Sequence, residues 1–564
     1  MFSPHEREQI RALTRAFLAR FFENEITTGT DDLKVSFFWL LSFLAVPGLF
    51  MPMTMAFTWQ LVALVHGPEV LRELSRGDKA FYLGFTMLAT ASITAIAWNS
   101  LLADRRDGLV LGVLPVRPVT IVVSKLAALS LYIALVGVGM NILASLSFGL
   151  FLASGNTVTF LLRGIVAHFV ASVGASASVF LLVAAAQGLV LAAYGPRTFA
   201  RIAPIMQMTL VALIVLGFLL LPVIDVSVGA TLAGHGANLR PWILATPPVW
   251  FLGLYEVVLG TTSPLLHRLA IEAGVLITAG VVGVLATYPV GYRKVMTAAV
   301  QGSADAAPTP RLRLVAETIT VVVGRAPDMQ AVSQFLLATV GRVERHRFIV
   351  AASVGFVVAW ALPGSISILA TRPPAPRVDL LALPLAAIIF LIVGARIAMS
   401  LPSDSRAGWI FDVSPPGRRP TRAAIERMMM GFCVVPVVLL YVPLYRTLWG
   451  WPVAVWHSVT CAAVGWLVVQ LALWRFTSIP CASPWQPQGE RLGRLWGAYA
   501  IGFVVLTIGV SSHEMSVYGH PVQLIAFVGC VFMLATGLRL VSLRRSTLEI
   551  DDSGYAPGDV LSLN

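Results

Sequence analysis

The stretch Asp104–Pro118, DRRDGLVLGVLPVRP, organises the fold prediction for this chain. It follows one long apolar segment and leads into another, and it passes from charged residues through an apolar patch to two prolines. The pattern returns three hundred positions later as Asp404–Pro416, DSRAGWIFDVSPP. An ungapped overlay aligns an aspartate, an arginine, a glycine, a valine and a proline of the two stretches. This internal repeat predicts a duplicated membrane module with one such loop in each copy.

The composition indicates a polytopic membrane protein. Of the 564 residues, 57% are hydrophobic and 12% are charged, whereas soluble proteins carry about 25% charged residues. Lipid offers no partner to an open strand edge, so we predict an all-α membrane protein. The net charge of +12 fits basic residues collected in cytoplasmic loops, and no basic face is interleaved with aromatic residues as nucleic-acid binding would need. We therefore expect the lipid bilayer, and no nucleic acid, as a partner.

The apolar segments predict about twelve transmembrane helices in two tandem six-helix halves. With the N-terminus inside, the stretch 66–80, which contains Arg72, Arg76 and Lys79, becomes the first external loop. The predicted spans are 37–64, 81–102, 121–152, 161–193, 202–225, 268–290, 348–370, 379–400, 426–447, 452–474, 493–511 and 521–541.

Each half begins with an amphipathic, basic helix, which is 5–26 in the first half. Such helices lie in the membrane interface. The predicted organisation is a first half at 1–295, a cytoplasmic linker at 296–327, a second half at 328–545 and a polar C-terminal tail at 546–564.

The two repeated loops, 103–120 and 401–425, expose apolar residues where a cytoplasmic loop has no ordinary use for them. One interpretation is a short helix whose apolar side fits a groove on a soluble partner. The other is an interfacial turn that packs only against its own spans. The candidate contact residues are Asp104, Arg105, Arg106, Asp107, Gly108, Leu111, Leu114, Pro115, Arg117, Pro118, Asp404, Arg406, Gly408, Trp409, Phe411 and Pro415.

These features resemble the permeases of the ABC type-2 exporter class. That family's half-unit has an interface helix, six spans, a cytoplasmic coupling helix between spans two and three, and a re-entrant external hairpin between spans five and six. The run DRRDGLVLGVLPVRPVTIVVSK resembles its coupling helix, and the short stretch 245–260, ATPPVWFLGLYEVVLG, resembles its hairpin. The second half resembles the family more weakly. The residues of the implied external gate hairpin are Pro247, Pro248, Trp250, Phe251, Tyr255 and Glu256.

The resemblance implies ATP-driven export, yet the chain contains no GxxxxGK[ST] phosphate loop. ATP and Mg would therefore bind a separate ABC ATPase subunit, expected in two copies, and the chain itself would be no enzyme and bind no cofactor directly. One chain would supply both halves of the pathway, or two would form a homodimer. The family and the scarcity of lysine beside arginine imply a bacterial inner membrane, with both termini cytoplasmic. An apolar route would suit a hydrophobic or amphipathic substrate.

A twelve-span secondary carrier of the major facilitator type is the alternative. That family also places an Asp-Arg-Gly loop between spans two and three, but continues it with basic residues, whereas Leu109–Leu111 follow here. Ion-coupled carriers bury ionisable groups in their spans. The sequence shows few such groups, and we expect them to snorkel, face headgroups or pack in the core: Asp225, Glu272, Arg396, His168 and His457.

A membrane-embedded enzyme is a third alternative, and it would need clustered acids or histidines at one membrane face. The candidate loop, Ser512–Glu514 with His520, forms no triad and no metal set. The four cysteines form no CxxC pair, so neither a disulfide framework nor a zinc site is expected. The clustered methionines at 51–55 and 428–430 are expected to pack rather than to bind copper.

Overall fold

The computed structural model describes residues 3–22, 33–98, 100–101, 111, 114–152, 158–233, 241–300, 326–400, 418–474, 481 and 501–552. Regular secondary structure in these ranges is entirely helical, as the composition predicts. The same ranges contain nine helices that are long and apolar enough to cross a membrane, or ten if one bent pair counts as a single span. The protein is therefore an all-α polytopic membrane protein, and the count of twelve spans stays a prediction.

The chain divides into two compact units, Met1–Ala307 and Pro308–Asn564. The division falls inside the predicted linker, most of which lies outside the described residues. The helices of the first unit are α1 (Pro4–Phe22), α2 (Leu33–His66), α3 (Pro68–Ile96), α4 (Pro118–Leu152), α5 (Val158–Ala233), α6 (Pro247–Val258) and α7 (Pro264–Val300). Those of the second are α8 (Pro327–Arg342), α9 (Glu344–Thr371), α10 (Val378–Ser400), α11 (Arg418–Met429), α12 (Val435–Trp449), α13 (Trp451–Ala472), α14 (Val510–Val517) and α15 (Pro521–Asp552).

Helix α5 is interrupted at Gly195, which separates two apolar segments. Its 76 residues would extend over roughly 114 Å, far more than the ~30 Å of a bilayer core. Gly195 has a φ of 77°, in the left-handed region that favours glycine, and Pro196 follows it. The break lies between the two predicted spans 161–193 and 202–225.

The amphipathic helix α1 packs on the beginning of α4, the helix that follows the first repeated loop. Its residues Phe17 and Phe21 are buried, and the Phe21 ring stacks on Tyr132 at 4.6 Å between centroids. The ammonium group of Lys125 lies over the Phe17 ring at 4.8 Å. The apolar face of α1 is therefore covered by protein. Residues 23–26 of the predicted interface helix lie outside the described residues.

The second unit has a similar pairing. Its amphipathic helix α8 packs on α11, the helix that follows the second repeated loop. The buried residues Met329, Val332 and Leu336 of α8 fall at helical spacing and join the core of this unit. A π-helical turn at Met430–Val434 then joins α11 to α12. In each unit the surface helix thus covers the element that follows its loop.

Candidate functional site

Helix α6 is a short element between two long apolar helices of the first unit. Its 12 residues extend over about 18 Å, too little to cross the bilayer. Two prolines begin it, and Gly260, with a φ of 88°, follows its end before α7 starts at Pro264. It packs against α3, α5 and α7. The stretch 245–260 therefore contains one short helix, α6, which packs beside α7. We call α6 with α7 the hairpin, and its role as an external re-entrant gate stays a prediction.

The aromatic residues of α6 differ in burial. Phe251 and Tyr255 are fully buried among α3, α5 and α7. Trp250 is partly buried, and its Nε1 donates a hydrogen bond to the carbonyl oxygen of Leu244 at 2.9 Å. The reason is that neighbouring helices surround α6, so most of its circumference contacts protein.

Glu256 of α6 accepts hydrogen bonds from two basic residues of α3. Its Oε1 lies 2.9 Å from Lys79 Nζ, and its Oε2 lies 3.0 Å from Arg72 Nε. The side chains of Glu256 and Lys79 are 0% and 2% exposed, and that of Arg72 is 21% exposed. Arg72 Nη2 also donates to the Glu256 carbonyl oxygen at 3.4 Å. We name these three residues the α3–α6 ion cluster.

The geometry of α3 brings the two basic residues together. Arg72 and Lys79 are seven residues apart, which places them two turns apart on one face of a helix. We predicted an external loop over 66–80, but α3 begins at Pro68 and includes this polar stretch. The seven-residue spacing was the signal that could have indicated a helix face. No spacing rule could have paired these residues with Glu256.

A small cavity lies beside the ion cluster, where α3, α6 and the facing ends of α4 and α5 meet. The centres of water molecules could occupy about 30 Å³ of it. Its lining includes the polar side chains of Arg72, Ser75, Lys79 and Tyr255. The centroid of the Tyr255 ring is 4.8 Å from Lys79 Nζ. The described residues thus form a mostly apolar pocket with two cations in its wall.

His168 of α5 is fully buried in an aromatic cage near this cluster. Its ring stacks on Phe148 at 4.3 Å and meets Tyr255 edge-on at 5.6 Å between centroids. Neither ring nitrogen has a hydrogen-bond partner among the described residues. We expected His168 to pack in the core or face the membrane surface, and the described residues around it show core packing.

The described residues of the first repeated loop do not share one environment. Leu111 is 9% exposed and belongs to the core cluster that includes Phe21 and Leu101, whereas Leu114 is 46% exposed. Arg117, beside Pro118 at the start of α4, forms an ion pair with Glu6 of α1 at 2.8 Å. Pro115 lies in the bend between Leu114 and Arg117. The predicted contact residues Asp104 to Gly108, and all those from Asp404 to Pro415, lie outside the described residues.

The second unit contains a buried acid–base pair that the sequence did not suggest. His457 Nδ1 of α13 lies 2.8 Å from Glu514 Oε2 of α14, and both side chains are buried. The other ring nitrogen of His457 lies 3.3 Å from Cys461 Sγ. We treated His457 as a lone core histidine and placed Glu514 in a loop, but α14 carries Glu514 into the core. The expectation of few buried ionisable groups was therefore wrong in both units.

Glu426 forms a second charged cluster of the second unit, on α11. This helix begins at Arg418, inside the stretch 401–425 that we predicted as a loop. Arg422 Nε and Arg539 Nε each lie 3.0 Å from a Glu426 oxygen. Arg422 also donates to Gln470 Oε1 at 3.1 Å and to the Leu473 carbonyl oxygen at 3.2 Å. This cluster ties α11 to α13 and α15, the counterpart of the contacts that hold the start of α4 in the first unit.

The remaining ionisable groups that the sequence singled out have local partners. Arg268 and Glu272 form an exposed pair at 3.1 Å, and Arg396 Nε donates to the Ala472 carbonyl oxygen at 2.9 Å. Asp225 lies against the backbone of α3 at Gly77. Within the described ranges, no group of three or more histidine, cysteine or acidic residues could hold a metal ion.

Comparisons of the chain with protein-family models, with curated proteins and with solved structures find no match.

Proposed function

We propose that this chain is the membrane-spanning permease subunit of an ATP-driven ABC transporter, and that it exports a hydrophobic or amphipathic substrate. A separate ATPase subunit, in two copies, supplies ATP hydrolysis. The proposal places the chain in a bacterial inner membrane with both termini in the cytoplasm. It starts from the resemblance of the 103–120 loop and the 245–260 hairpin to the type-2 exporter permeases.

The α3–α6 ion cluster is the observation that carries this proposal. Helix α3 is 29 residues long, about 44 Å. One end holds Glu256 of the short helix α6 through Arg72 and Lys79, and the other end leads into the 103–120 loop. A continuous helix moves as a rigid element, so a displacement of that loop reaches α6 directly. This is the connection that a coupled transporter needs between its energy input and its gate.

In the proposed mechanism, ATP binding closes the two ATPase subunits against the repeated loops. In the first unit, the exposed residue Leu114 supplies apolar contact, while Leu111 holds the loop to its own unit. The loop shifts α3, and the ion cluster transmits the shift to the hairpin of α6 with α7. The apolar route of the substrate then opens to the outside of the membrane.

A secondary, ion-coupled carrier is the second candidate, and the pair of His457 with Glu514 favours it. Ionisable residues buried at membrane depth are expensive and are functional candidates by default. A histidine hydrogen-bonded to a carboxylate can hold a proton between its ring and the acid. Such a site would couple transport to a proton gradient without an ATPase.

A co-purification experiment separates the two candidates. The tagged chain is purified in mild detergent from the membranes of cells that encode it, and ATPase activity is measured in the eluate. Leu114→Asp places a charge at the exposed loop position. Leu64→Asp is the matched control, because it introduces the same charge at an exposed leucine. Leu64 is 85% exposed and lies near the end of α2, beside the beginning of α3, whereas the 103–120 loop follows the end of α3.

The exporter proposal predicts an ATPase that co-purifies with the wild-type chain and the Leu64→Asp variant, and that is lost with Leu114→Asp. Size-exclusion profiles of the three chains should coincide. A wild-type chain that carries no ATPase activity would contradict the proposal. Transport driven by a proton gradient and abolished by His457→Ala would then establish the carrier.

A further inference from the structure

The cavity beside the α3–α6 ion cluster contains more hydrogen-bond donors than acceptors. Lys79 carries three N–H donors, and one of them meets a Glu256 oxygen. Arg72 carries five, of which those on Nε and Nη2 meet Glu256. The other polar side chains in the lining are Ser75, which donates its hydroxyl hydrogen to the Arg72 carbonyl oxygen, and Tyr255, whose ring faces Lys79. The cavity wall therefore offers donors for which the described residues supply no acceptor.

The charges of the cluster do not cancel. Within these three residues, two cations share one carboxylate. The nearby charged groups of α3 have contacts outside the cluster, because Arg76 pairs with Glu73 at 3.8 Å and Asp78 accepts a hydrogen bond from Trp59 at 2.9 Å. The cluster itself therefore has one positive charge in excess beside a largely apolar cavity. Lys79 is 2% exposed, so bulk water reaches its ammonium group poorly. Buried charges are normally paired, because an unpaired charge in a protein interior is costly. One further negative charge at the cavity would balance the cluster and use its free donors.

We propose that this cavity binds the anionic head of a membrane amphiphile, a carboxylate or the exposed oxygens of a phosphate group. The free donors of Lys79 and Arg72 hold the negative oxygens. The rest of the wall supplies apolar contact from residues such as Leu71, Leu152 and Phe160. Glu256 competes with the ligand for the same two cations and so limits its affinity.

The size and place of the cavity suit such a head group. A buried water needs about 10–15 Å³ of space for its centre, so about 30 Å³ accommodates two oxygen atoms side by side. The surrounding helices α3, α4 and α5 are membrane-span candidates with exposed apolar side chains such as Leu74 and Leu162. A head group in the cavity can therefore keep its acyl tail in the bilayer.

This inference specifies the substrate class within the proposed export function, and one part of it rests on that function, namely that the bound amphiphile is cargo. Binding itself needs no ATPase. It is measured on the purified chain alone, so a failure of binding and a failure of ATPase docking are separate results.

The test is native mass spectrometry of the purified chain, titrated with four probes. These are oleate, phosphatidylglycerol, inorganic phosphate and the zwitterionic phosphatidylcholine. Three variants are compared with the wild type. Lys79→Met removes one cation, Glu256→Gln removes the competing carboxylate, and Arg268→Met removes an exposed cation of the same unit as the matched control.

We expect oleate or phosphatidylglycerol to bind the wild type at least tenfold more tightly than phosphatidylcholine. Lys79→Met should weaken that binding about tenfold, the usual effect of losing a charge-assisted hydrogen bond. Glu256→Gln should strengthen it, and Arg268→Met should leave it unchanged. A purely structural role for the cluster predicts instead that both buried substitutions weaken binding.

Three results would overturn the inference. The first is equal binding of phosphatidylcholine and the anionic lipids, and the second is weaker binding in the Glu256→Gln variant. The third is binding of inorganic phosphate as tight as that of the lipids, which would indicate a free anion rather than an amphiphile. If either buried substitution is not recovered as a folded chain, Arg72→Gln at the more exposed edge of the cluster replaces it and should weaken binding of the anionic lipid about tenfold.

Discussion

The α3–α6 ion cluster allows a quantitative stability prediction through a double-mutant cycle of Lys79→Met and Glu256→Gln. The two charged atoms are 2.9 Å apart and almost fully buried. At an effective dielectric constant of about 20, two unit charges at this distance attract by about 6 kcal/mol. Desolvation of the two ions costs several kcal/mol each and offsets much of this attraction. The intact pair thus adds little net stability. Removal of one partner is strongly destabilising, because the other charge then stays buried without compensation.

Glu256→Gln alone should therefore lower the free energy of unfolding by about 3–5 kcal/mol, because it strands Lys79 and Arg72 without their carboxylate. Lys79→Met alone should cost less, since Arg72 still pairs with Glu256. The double variant should be more stable than the sum of the two single losses predicts, by about 1–3 kcal/mol. In globular domains of about 150–250 residues, each kcal/mol corresponds to about 2–4 °C in the midpoint of thermal unfolding, and we expect shifts of at most this size for the larger first unit.

The assay is thermal unfolding of the purified chain in one neutral detergent, followed by intrinsic tryptophan fluorescence. Glu272→Gln, which breaks an exposed ion pair with Arg268, is the control and should shift the midpoint by less than about 2 °C. Additive effects of Lys79→Met and Glu256→Gln would refute the coupling. So would a Glu256→Gln variant as stable as the wild type, because a buried carboxylate between two cations could not then be present.

Three further substitutions test the packing of α6, the buried pair of His457 with Glu514, and the packing of α1. Gly253→Ala should destabilise the first unit by about 1–3 kcal/mol in the same unfolding assay, because the added Cβ would lie 2.8 Å from the backbone of α7. Gly274→Ala is the control and should be neutral, because a Cβ at Gly274 would have open space around it. His457→Ala should cost about 3–5 kcal/mol by stranding the buried Glu514 carboxylate; a loss below 1 kcal/mol would show that the pair is absent. Phe17→Ala should cost about 3–5 kcal/mol and increase proteolysis of α1; unchanged protection would place α1 on lipid rather than on α4.

Much of the architecture follows from local sequence features. Composition alone determines an all-α membrane protein, because apolar segments in lipid must satisfy their backbone hydrogen bonds internally. The spacing of Phe17 and Phe21 predicts the amphipathic helix α1, and the two prolines at 247–248 predict the break before α6. These features depend on neighbours within a few turns of the chain. A soluble partner and a transported substrate stay predictions.

Only the tertiary structure decided which polar residues belong to the interior. Glu256 meets Arg72 and Lys79 from 184 and 177 positions away, and Glu514 meets His457 from 57 positions away. The sequence pattern could not predict these pairs, because it describes the faces of one helix and not which helices pack together. The sequence likewise could not predict that Leu111 is buried and Leu114 is exposed. Charge within an apolar chain is stable only where packing supplies a partner, and packing is a property of the folded unit.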